Sequence, residues 1–134
     1  MGREVDLTGA DLVGTNFVSA NVPDSIVDSP TFTSSIVQKA RFGTHEGDSF
    51  AGASFAGVDL SGAQLGRSES TLDLTGADFT GVTVVQTYFA NVDLTGSTFA
   101  ELKFGSSMYI GPDVTCPDGA SSTEGKYGAA ACRL

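Results

Sequence analysis

The sequence predicts an all-β solenoid, in which short extended sides alternate with corners around a closed coil. Large apolar residues recur at every fifth position, and all nine Phe fall at this position, which we call the centre. The residue two positions before the centre is nearly always small, as at Ala10, Ala53 and Ala77. Five residues advance an α-helix by ~500°, so the centres would form no buried stripe on a helix. On one long strand they would alternate between two faces, which leaves a short side followed by a corner.

The period extends over twenty units with two interruptions. The spacing grows by three residues between Phe42 and Phe50 and by four residues between Leu65 and Leu74. Stacked repeats tolerate such insertions as loops, provided that the loops avoid the stacked faces. In chain order the centres are Leu7, Leu12, Phe17, Val22, Val27, Phe32, Val37, Phe42, Phe50, Phe55, Leu60, Leu65, Leu74, Phe79, Val84, Phe89, Leu94, Phe99, Phe104 and Tyr109.

Glycine follows the centre by two positions in nine of the twenty units. Its recurrence there predicts a turn residue with a positive φ angle. These glycines are Gly9, Gly14, Gly52, Gly57, Gly62, Gly76, Gly81, Gly96 and Gly111.

The units resemble those of the pentapeptide repeat proteins, whose motif reads roughly Ala-(Asp/Asn)-Leu/Phe-x-x. The resemblance covers about Val5 to Gly111 and is clearest at Ala10-Asp11-Leu12, Ala77-Asp78-Phe79 and Val92-Asp93-Leu94. It implies a right-handed quadrilateral parallel β-helix with four units per coil, and therefore about five coils in this chain.

Grouping the centres in fours places both interruptions at one corner of the square. We number the sides one to four in chain order within each coil. The coils then begin at Leu7, Val27, Phe50, Leu74 and Leu94. The same grouping predicts that the centres of side two stack in one internal core column, which consists of Leu12, Phe32, Phe55, Phe79 and Phe99. The grouping also predicts a β-helix over residues 1–111, with corner loops near 43–49 and 66–73, and a C-terminal cap or tail over residues 112–134.

The only two cysteines, Cys116 and Cys132, bracket a tail in which the repeat pattern stops. A disulfide between them would contribute ~3 kcal/mol by the chain-entropy estimate. Two free surface thiols are the alternative. The disulfide is favoured because a tail with little apolar content has nothing else to fix it. A zinc site would need two further ligands, and the sole histidine, His45, lies far along the chain in a corner loop.

The chain carries 16 acidic and 7 basic residues, a formal charge of -9. This balance argues against direct binding to nucleic acid or to an anionic membrane, and no segment is apolar enough to insert as a transmembrane helix. The first residues also lack the apolar core of a signal peptide. If the protein is exported, a signal peptide that preceded Met1 is expected to have been removed. The segment Thr115–Gly119, followed by the final Cys132, is similar to the ending of exported bacterial family members. That resemblance implies the periplasm or the cell exterior, with the cytoplasm as the alternative.

No residue pattern predicts catalysis, and neither a cofactor nor a metal is expected. A catalytic nucleophile, acid or base must lie in a concave site, whereas His45 falls in a predicted surface loop. Aspartates recur at the position before the centre, which in the family faces solvent on a flat wall. They form the candidate acidic interaction face, which consists of Asp6, Asp11, Asp73, Asp78 and Asp93.

The sequence therefore predicts a non-enzymatic structural or interaction module, a rigid acidic rod whose flat faces and corner loops meet an unidentified protein partner. The alternative comes from the resemblance, because some family members mimic B-form DNA and bind type II topoisomerases such as gyrase. The gyrase-binding members have a continuous acidic surface, which is not expected on side four of this chain. The outward positions of that side are expected to be Asn21, Arg41, Gln64, Tyr88 and Met108. Only Met1 to Glu4 precede the first coil, so its end is expected to serve as a homodimer or attachment surface.

Overall fold

The chain folds into short strands that stack in parallel, as the five-residue period predicts. The computed structural model describes residues 5–6, 11–12, 21–22, 25–26, 37–42, 49–66, 71–104, 108–111, 113–122 and 132. The strands of this part are β1 (Val5–Asp6), β2 (Asn21–Val22), β3 (Ser25–Ile26), β4 (Arg41–Phe42), β5 (Gln64–Leu65), β6 (Leu72–Asp73), β7 (Thr83–Val84), β8 (Thr87–Phe89), β9 (Val92–Asp93), β10 (Lys103–Phe104), β11 (Met108–Ile110) and β12 (Val114–Thr115). Within the described ranges there is no helix, and hence no helix that could span a membrane.

The register between strands confirms a coil of four units. Val5 of β1 pairs with Ser25 of β3, twenty residues later, and Asn21 of β2 pairs with Arg41 of β4 at the same interval. Across the two interruptions the interval becomes 23 residues, from Arg41 to Gln64, and then 24 residues, from Gln64 to Tyr88. The extra three and four residues therefore fall at one corner, between side four and side one. The fold is the expected right-handed quadrilateral β-helix.

Side four is the longest ladder, a sheet in the order β11-β8-β5-β4-β2. Side one joins β12, β9 and β6 in a second sheet, while β1 pairs with β3 and β10 with β7. On side two, single bridges link Ser54 to Asp78 and Asp78 to Thr98. The corner loop predicted near 66–73 ends earlier than expected, because Leu72 and Asp73 already belong to β6.

The corners are tight turns that the glycines make possible. The N–H of the residue three positions after a centre donates to the carbonyl of that centre, as from Ala53 to Phe50 at 3.0 Å. The residue between them, two positions after the centre, has positive φ, a region that glycine enters without steric cost. This confirms the prediction for Gly52, Gly57, Gly62, Gly76, Gly81 and Gly96, with φ from 66° to 71°. Gly9 and Gly14 lie outside the described residues.

The core is a stack of centres enclosed by the four sides. The fully buried large side chains are Phe42, Phe50, Phe55, Phe79, Phe89, Leu60, Leu65, Leu72, Leu74 and Leu94. In the side-two column, the rings of Phe55 and Phe79 stack at 5.1 Å and those of Phe79 and Phe99 at 4.7 Å between centroids. Leu12 packs against this core as a partly buried residue, as does Phe99, and Phe32 lies outside the described residues.

The assignment of Tyr109 as a centre is wrong. Ile110, not Tyr109, pairs with Phe89 and is buried, whereas Tyr109 pairs with Tyr88 and is 41% exposed. The cause is one additional residue before β11, since Phe104 follows its partner by 20 residues but Ile110 follows Phe89 by 21. A shift of one residue exchanges the inward and outward faces of a strand.

Two further expectations change with this shift. Met108, expected to face outward on side four, is buried with 5% of its surface exposed, and Tyr109 takes the outward position. Gly111 now follows its centre by one position instead of two, and it is absent from the residues with positive φ.

The ladder crosses the predicted boundary at residue 112 and begins a sixth coil. β12 pairs with β9, and the N–H of Leu94 donates to the carbonyl of Thr115 at 2.9 Å. Cys116 consequently occupies the position stacked on Leu94, where it is buried. Cys116 follows Ile110 by six positions instead of five, so the five-residue pattern is interrupted here. The division into a β-helix and a cap at this residue stays a prediction.

Beyond Cys116 the chain folds back on itself. The N–H of Gly119 donates to the carbonyl of Cys116 at 2.8 Å and closes a turn. Ser121 then pairs antiparallel with Thr115, supported by a hydrogen bond from the N–H of Ser122 to the carbonyl of Val114 at 2.9 Å. The returning segment covers the outer edge of β12, an edge that would otherwise present unpaired backbone groups.

The expected disulfide joins Cys116 to Cys132, with 5.2 Å between their Cα atoms. Both residues are buried, with 2% and 6% of their surfaces exposed. Because Cys116 stands at a centre position, the disulfide anchors the end of the chain directly to the core.

For material purified without reductant, we expect thiol titration of the unfolded chain to return no free cysteine. Reduction is expected to lower the free energy of unfolding by about 3 kcal/mol, because it raises the conformational entropy of the unfolded chain. The matched control is the Cys116→Ala/Cys132→Ala variant, whose stability reductant should leave unchanged. Two titratable thiols in the untreated protein would contradict this expectation.

Candidate functional site

The structure stacks two of the five candidate aspartates directly on each other. Asp73 of β6 pairs with Asp93 of β9 on side one, so the two lie in adjacent coils, ~4.8 Å apart along the stack. Ser49 precedes them in the same column, bridged to Asp73, and Thr115 follows, paired with Asp93. Side one therefore carries a short acidic column between two hydroxyl residues.

Each of these carboxylates is held by its own turn. Oδ1 of Asp73 accepts hydrogen bonds from the N–H and the hydroxyl of Thr75 at 2.9 and 2.8 Å. Oδ1 of Asp93 accepts the same pair from Thr95 at 2.9 and 2.6 Å. The repeated Asp-Leu-Thr sequence produces this arrangement, since Asp and Thr lie on either side of an inward centre. The orientation of both carboxylates is thus fixed before any partner arrives.

The other three aspartates do not join this column. Asp78 lies on side two between Ser54 and Thr98, with its Oδ1 bound by the N–H of Thr80 at 2.9 Å. Asp11 is exposed in the first coil of the same side, and Asp6 pairs with Ile26, so no second acid follows it in register. The candidate acidic face is therefore a pair of carboxylates with separate acids around it, and not a continuous ladder.

Asp59 on side three is a further ordered acid, which the sequence analysis did not single out. Its Oδ2 accepts a hydrogen bond from Nε2 of Gln38 at 2.6 Å, and its Oδ1 accepts bonds from the N–H of Ser61 at 2.9 Å and from the Ser61 hydroxyl. Partial burial raises the pKa of Asp59, but the bonds from Ser61 and Gln38 lower it more, so the pKa lies below its usual value. The Asp59-Leu60-Ser61 sequence, a variant of Asp-Leu-Thr, was the available signal.

Because the folded pKa of Asp59 is depressed, its stabilising contribution is present above the unfolded value of ~3.9 and is lost as the pH falls through the folded value. We expect Asp59→Asn to lower the free energy of unfolding at neutral pH, and the difference from wild type to shrink in acid. Urea unfolding at a series of pH values measures this difference.

Gln38→Ala provides the control, because it removes one donor and leaves the carboxylate in place. An NMR titration of the Asp59 carboxyl should then show a higher pKa than in the wild type. An identical titration in both proteins would show that the Gln38 contact does not stabilise the charged form.

Basic side chains are segregated from the acidic column. Within the described part of the chain, the three basic residues are Lys39, Arg41 and Lys103, and all lie on sides three and four. Side four presents Arg41, Gln64, Tyr88 and Tyr109 at successive outward positions, and the rings of the two tyrosines stack at 5.2 Å between centroids. The acidic surface of side one and the non-acidic surface of side four are therefore chemically distinct.

The described residues contain no group of three His, Cys, Asp or Glu side chains that could hold a metal ion. His45, the only histidine, lies outside the described residues. The described residues form flat sides of the β-helix. Small-molecule sites are concave, so flat sides suit the binding of a macromolecular surface more than the enclosure of a small substrate.

Comparison with known proteins gives one family match. The family model for pentapeptide repeats matches eight copies, over residues 3–22 and 73–106. No curated protein sequence matches the chain significantly.

Among solved structures, the chain is similar to Rfr23, a pentapeptide repeat protein from the cyanobacterium Cyanothece 51142. The identity is 19%, over 85% of this chain and 65% of Rfr23, with a TM-score of 0.41. A pentapeptide repeat protein from the thylakoid lumen of Arabidopsis thaliana is 24% identical, over 96% of this chain and 87% of its own length, with a TM-score of 0.33. QnrB1, a plasmid-mediated fluoroquinolone resistance protein, is 15% identical, over 72% of this chain and 61% of its own length, with a TM-score of 0.31. The chain thus spans less than two thirds of Rfr23 and of QnrB1.

Proposed function

Because this chain is a pentapeptide repeat protein, and such proteins are structural or interaction modules, we propose that it binds a basic protein surface through its acidic side one. The family is generally non-enzymatic, and the proposal involves no catalytic step. The stacked pair of Asp73 and Asp93 carries the proposal.

Two features make this pair suitable for a basic partner. Two carboxylates ~4.8 Å apart repel each other, and a guanidinium or ammonium group placed between them relieves the repulsion. The hydrogen bonds from Thr75 and Thr95 already fix both carboxylates, so binding costs little side-chain entropy. The net charge of -9 would also speed the approach of a positively charged partner.

The test compares two variants of equal charge. Asp73→Asn/Asp93→Asn removes the stacked pair, whereas Asp59→Asn/Asp78→Asn removes two charges from sides three and two. Each variant is immobilised and exposed at low salt to proteins from a bacterial extract. We expect the side-one variant alone to lose its specific partner, and salt to release that partner from the wild type. Equal retention by both variants would show that side one is not the binding surface.

The alternative partner is a type II topoisomerase such as gyrase, bound through mimicry of DNA. The regular step from Asp73 to Asp93 favours this idea, but B-form DNA carries ~14 phosphates over the ~24 Å that five coils span. A gyrase supercoiling assay decides the matter. Inhibition by the wild type that is lost in the Asp73→Asn/Asp93→Asn variant would favour mimicry, and no inhibition would exclude it.

The compartment that this proposal favours is the periplasm or the exterior of a bacterial cell. A disulfide that anchors the chain end to the core persists where the surroundings are oxidising. The predicted attachment surface at the N-terminal coil falls largely on residues outside the described set and stays a prediction.

A further inference from the structure

The outward face of side four is built differently from the rest of the rod. Its strands β2, β4, β5, β8 and β11 form the longest sheet in the described part of the chain. The paired outward positions of β4, β5, β8 and β11 are occupied by Arg41, Gln64, Tyr88 and Tyr109, which we call the side-four column. Asn21 of β2 is in register below Arg41.

This column has the composition of a protein interface. None of its members is acidic, although the whole chain carries a charge of -9. Tyr and Arg are enriched at interfaces, whereas Asp, Glu and Lys are depleted there. Tyr109 has 41% of its surface exposed, and its ring stacks on that of Tyr88 with 19° between the ring planes. Side four is therefore the face on which a second acidic chain would meet the least repulsion.

The order of residues along the column is self-complementary. When the column is reversed about Gln64, Arg41 exchanges places with Tyr88, and the Asn21 position exchanges with Tyr109. A two-fold axis that lies between the two faces at the level of Gln64, parallel to the strands, produces this reversal and turns the two columns toward each other. We propose that a second copy of this chain docks on side four, with its coils running antiparallel, in a symmetric dimer.

The contacts across this axis are chemically matched. The guanidinium of Arg41 would lie over the ring of Tyr88 of the second copy, a cation–π contact that the symmetry repeats. The two Gln64 amides would meet on the axis, where each can donate to and accept from the other. In the single chain, Oε1 of Gln64 is buried without a hydrogen-bond partner, so this pairing would supply the missing donor once the amide turns outward.

The size of the face makes the dimer weak. Five strands ~4.8 Å apart span only about 20–24 Å, and such a face buries well below the ~800 Å² per partner of a standard interface. We therefore expect dimers at protein concentrations on the order of 0.1–1 mM. The dimer uses a different side from the proposed acidic partner site, so the two proposals succeed or fail independently.

Sedimentation velocity across this concentration range tests the dimer. Gln64→Glu keeps the size of the side chain but places two carboxylates together on the axis, and we expect at least a tenfold weaker association. Thr98→Glu adds the same single negative charge at an exposed position of side two and should not weaken it. A wild type that stays monomeric throughout the range overturns the proposal. So does a dimer that survives Gln64→Glu unchanged, which would instead favour the N-terminal coil as the surface.

Cross-linking tests the symmetry. Packed sheets lie ~10 Å apart, so a short bismaleimide bridges equivalent cysteines across the axis better than a direct disulfide does. We expect Gln64→Cys to yield a covalent dimer and Thr95→Cys, on side one, to yield none. Equal cross-linking of the two variants would overturn the axis placed at Gln64.

Discussion

Phe79→Ala is expected to lower the free energy of unfolding by about 3–5 kcal/mol, because it opens a cavity that the surrounding rings cannot fill. Phe79 is fully buried, and its ring lies between those of Phe55 and Phe99, at 5.1 and 4.7 Å between centroids. The edge-on ring of Phe89, at 6.1 Å, closes a third direction. Urea or thermal unfolding of the two proteins measures the difference.

Thr80→Ala is the matched control, since Thr80 is the next residue along the same side and is only partly buried. Its backbone N–H binds Asp78, and the substitution leaves that bond in place. We expect a change within about 0.5 kcal/mol. Similar losses in the two variants would mean that Phe79 does not occupy the core column.

Gly66→Ala is expected to destabilise the fold by about 3–5 kcal/mol, through backbone strain and overpacking together. Gly66 has a φ of 71°, and a Cβ atom added there would clash with the carbonyl oxygen of Ala90 and stand 2.6 Å from a methyl of Val92. The closest atom belongs to the backbone of the next coil, so relief requires the two coils to move apart. Denaturant unfolding provides the measurement.

Gly76→Ala separates the two contributions. Gly76 has nearly the same φ, 66°, but nothing lies within 4 Å of an added Cβ. Only the strain remains, and the expected cost is about 1–2 kcal/mol. If Gly66→Ala cost no more than Gly76→Ala, the close contact between the coils at this corner would be wrong.

The repeat unit and the core could both be predicted from the amino-acid sequence. The period of five identified Phe55, Phe79 and Leu74 as inward residues, and glycines such as Gly76 as the corners with positive φ. Both features are local, because one unit contains its own side and its own turn. The two interruptions also agreed with the coil of four that the family resemblance implied, since they fall at one corner of the stack.

The structure was needed to show which residues of neighbouring coils pair where a turn changes its length after Phe104. Pairing between coils depends on the exact length of each turn, and one added residue made Ile110 the centre and moved Tyr109 outward. The same dependence hid the sixth coil, in which Cys116 stacks on Leu94. The physical reason is that coils pair through backbone N–H and carbonyl groups, which every residue except proline carries alike, so side-chain patterns alone do not fix their register.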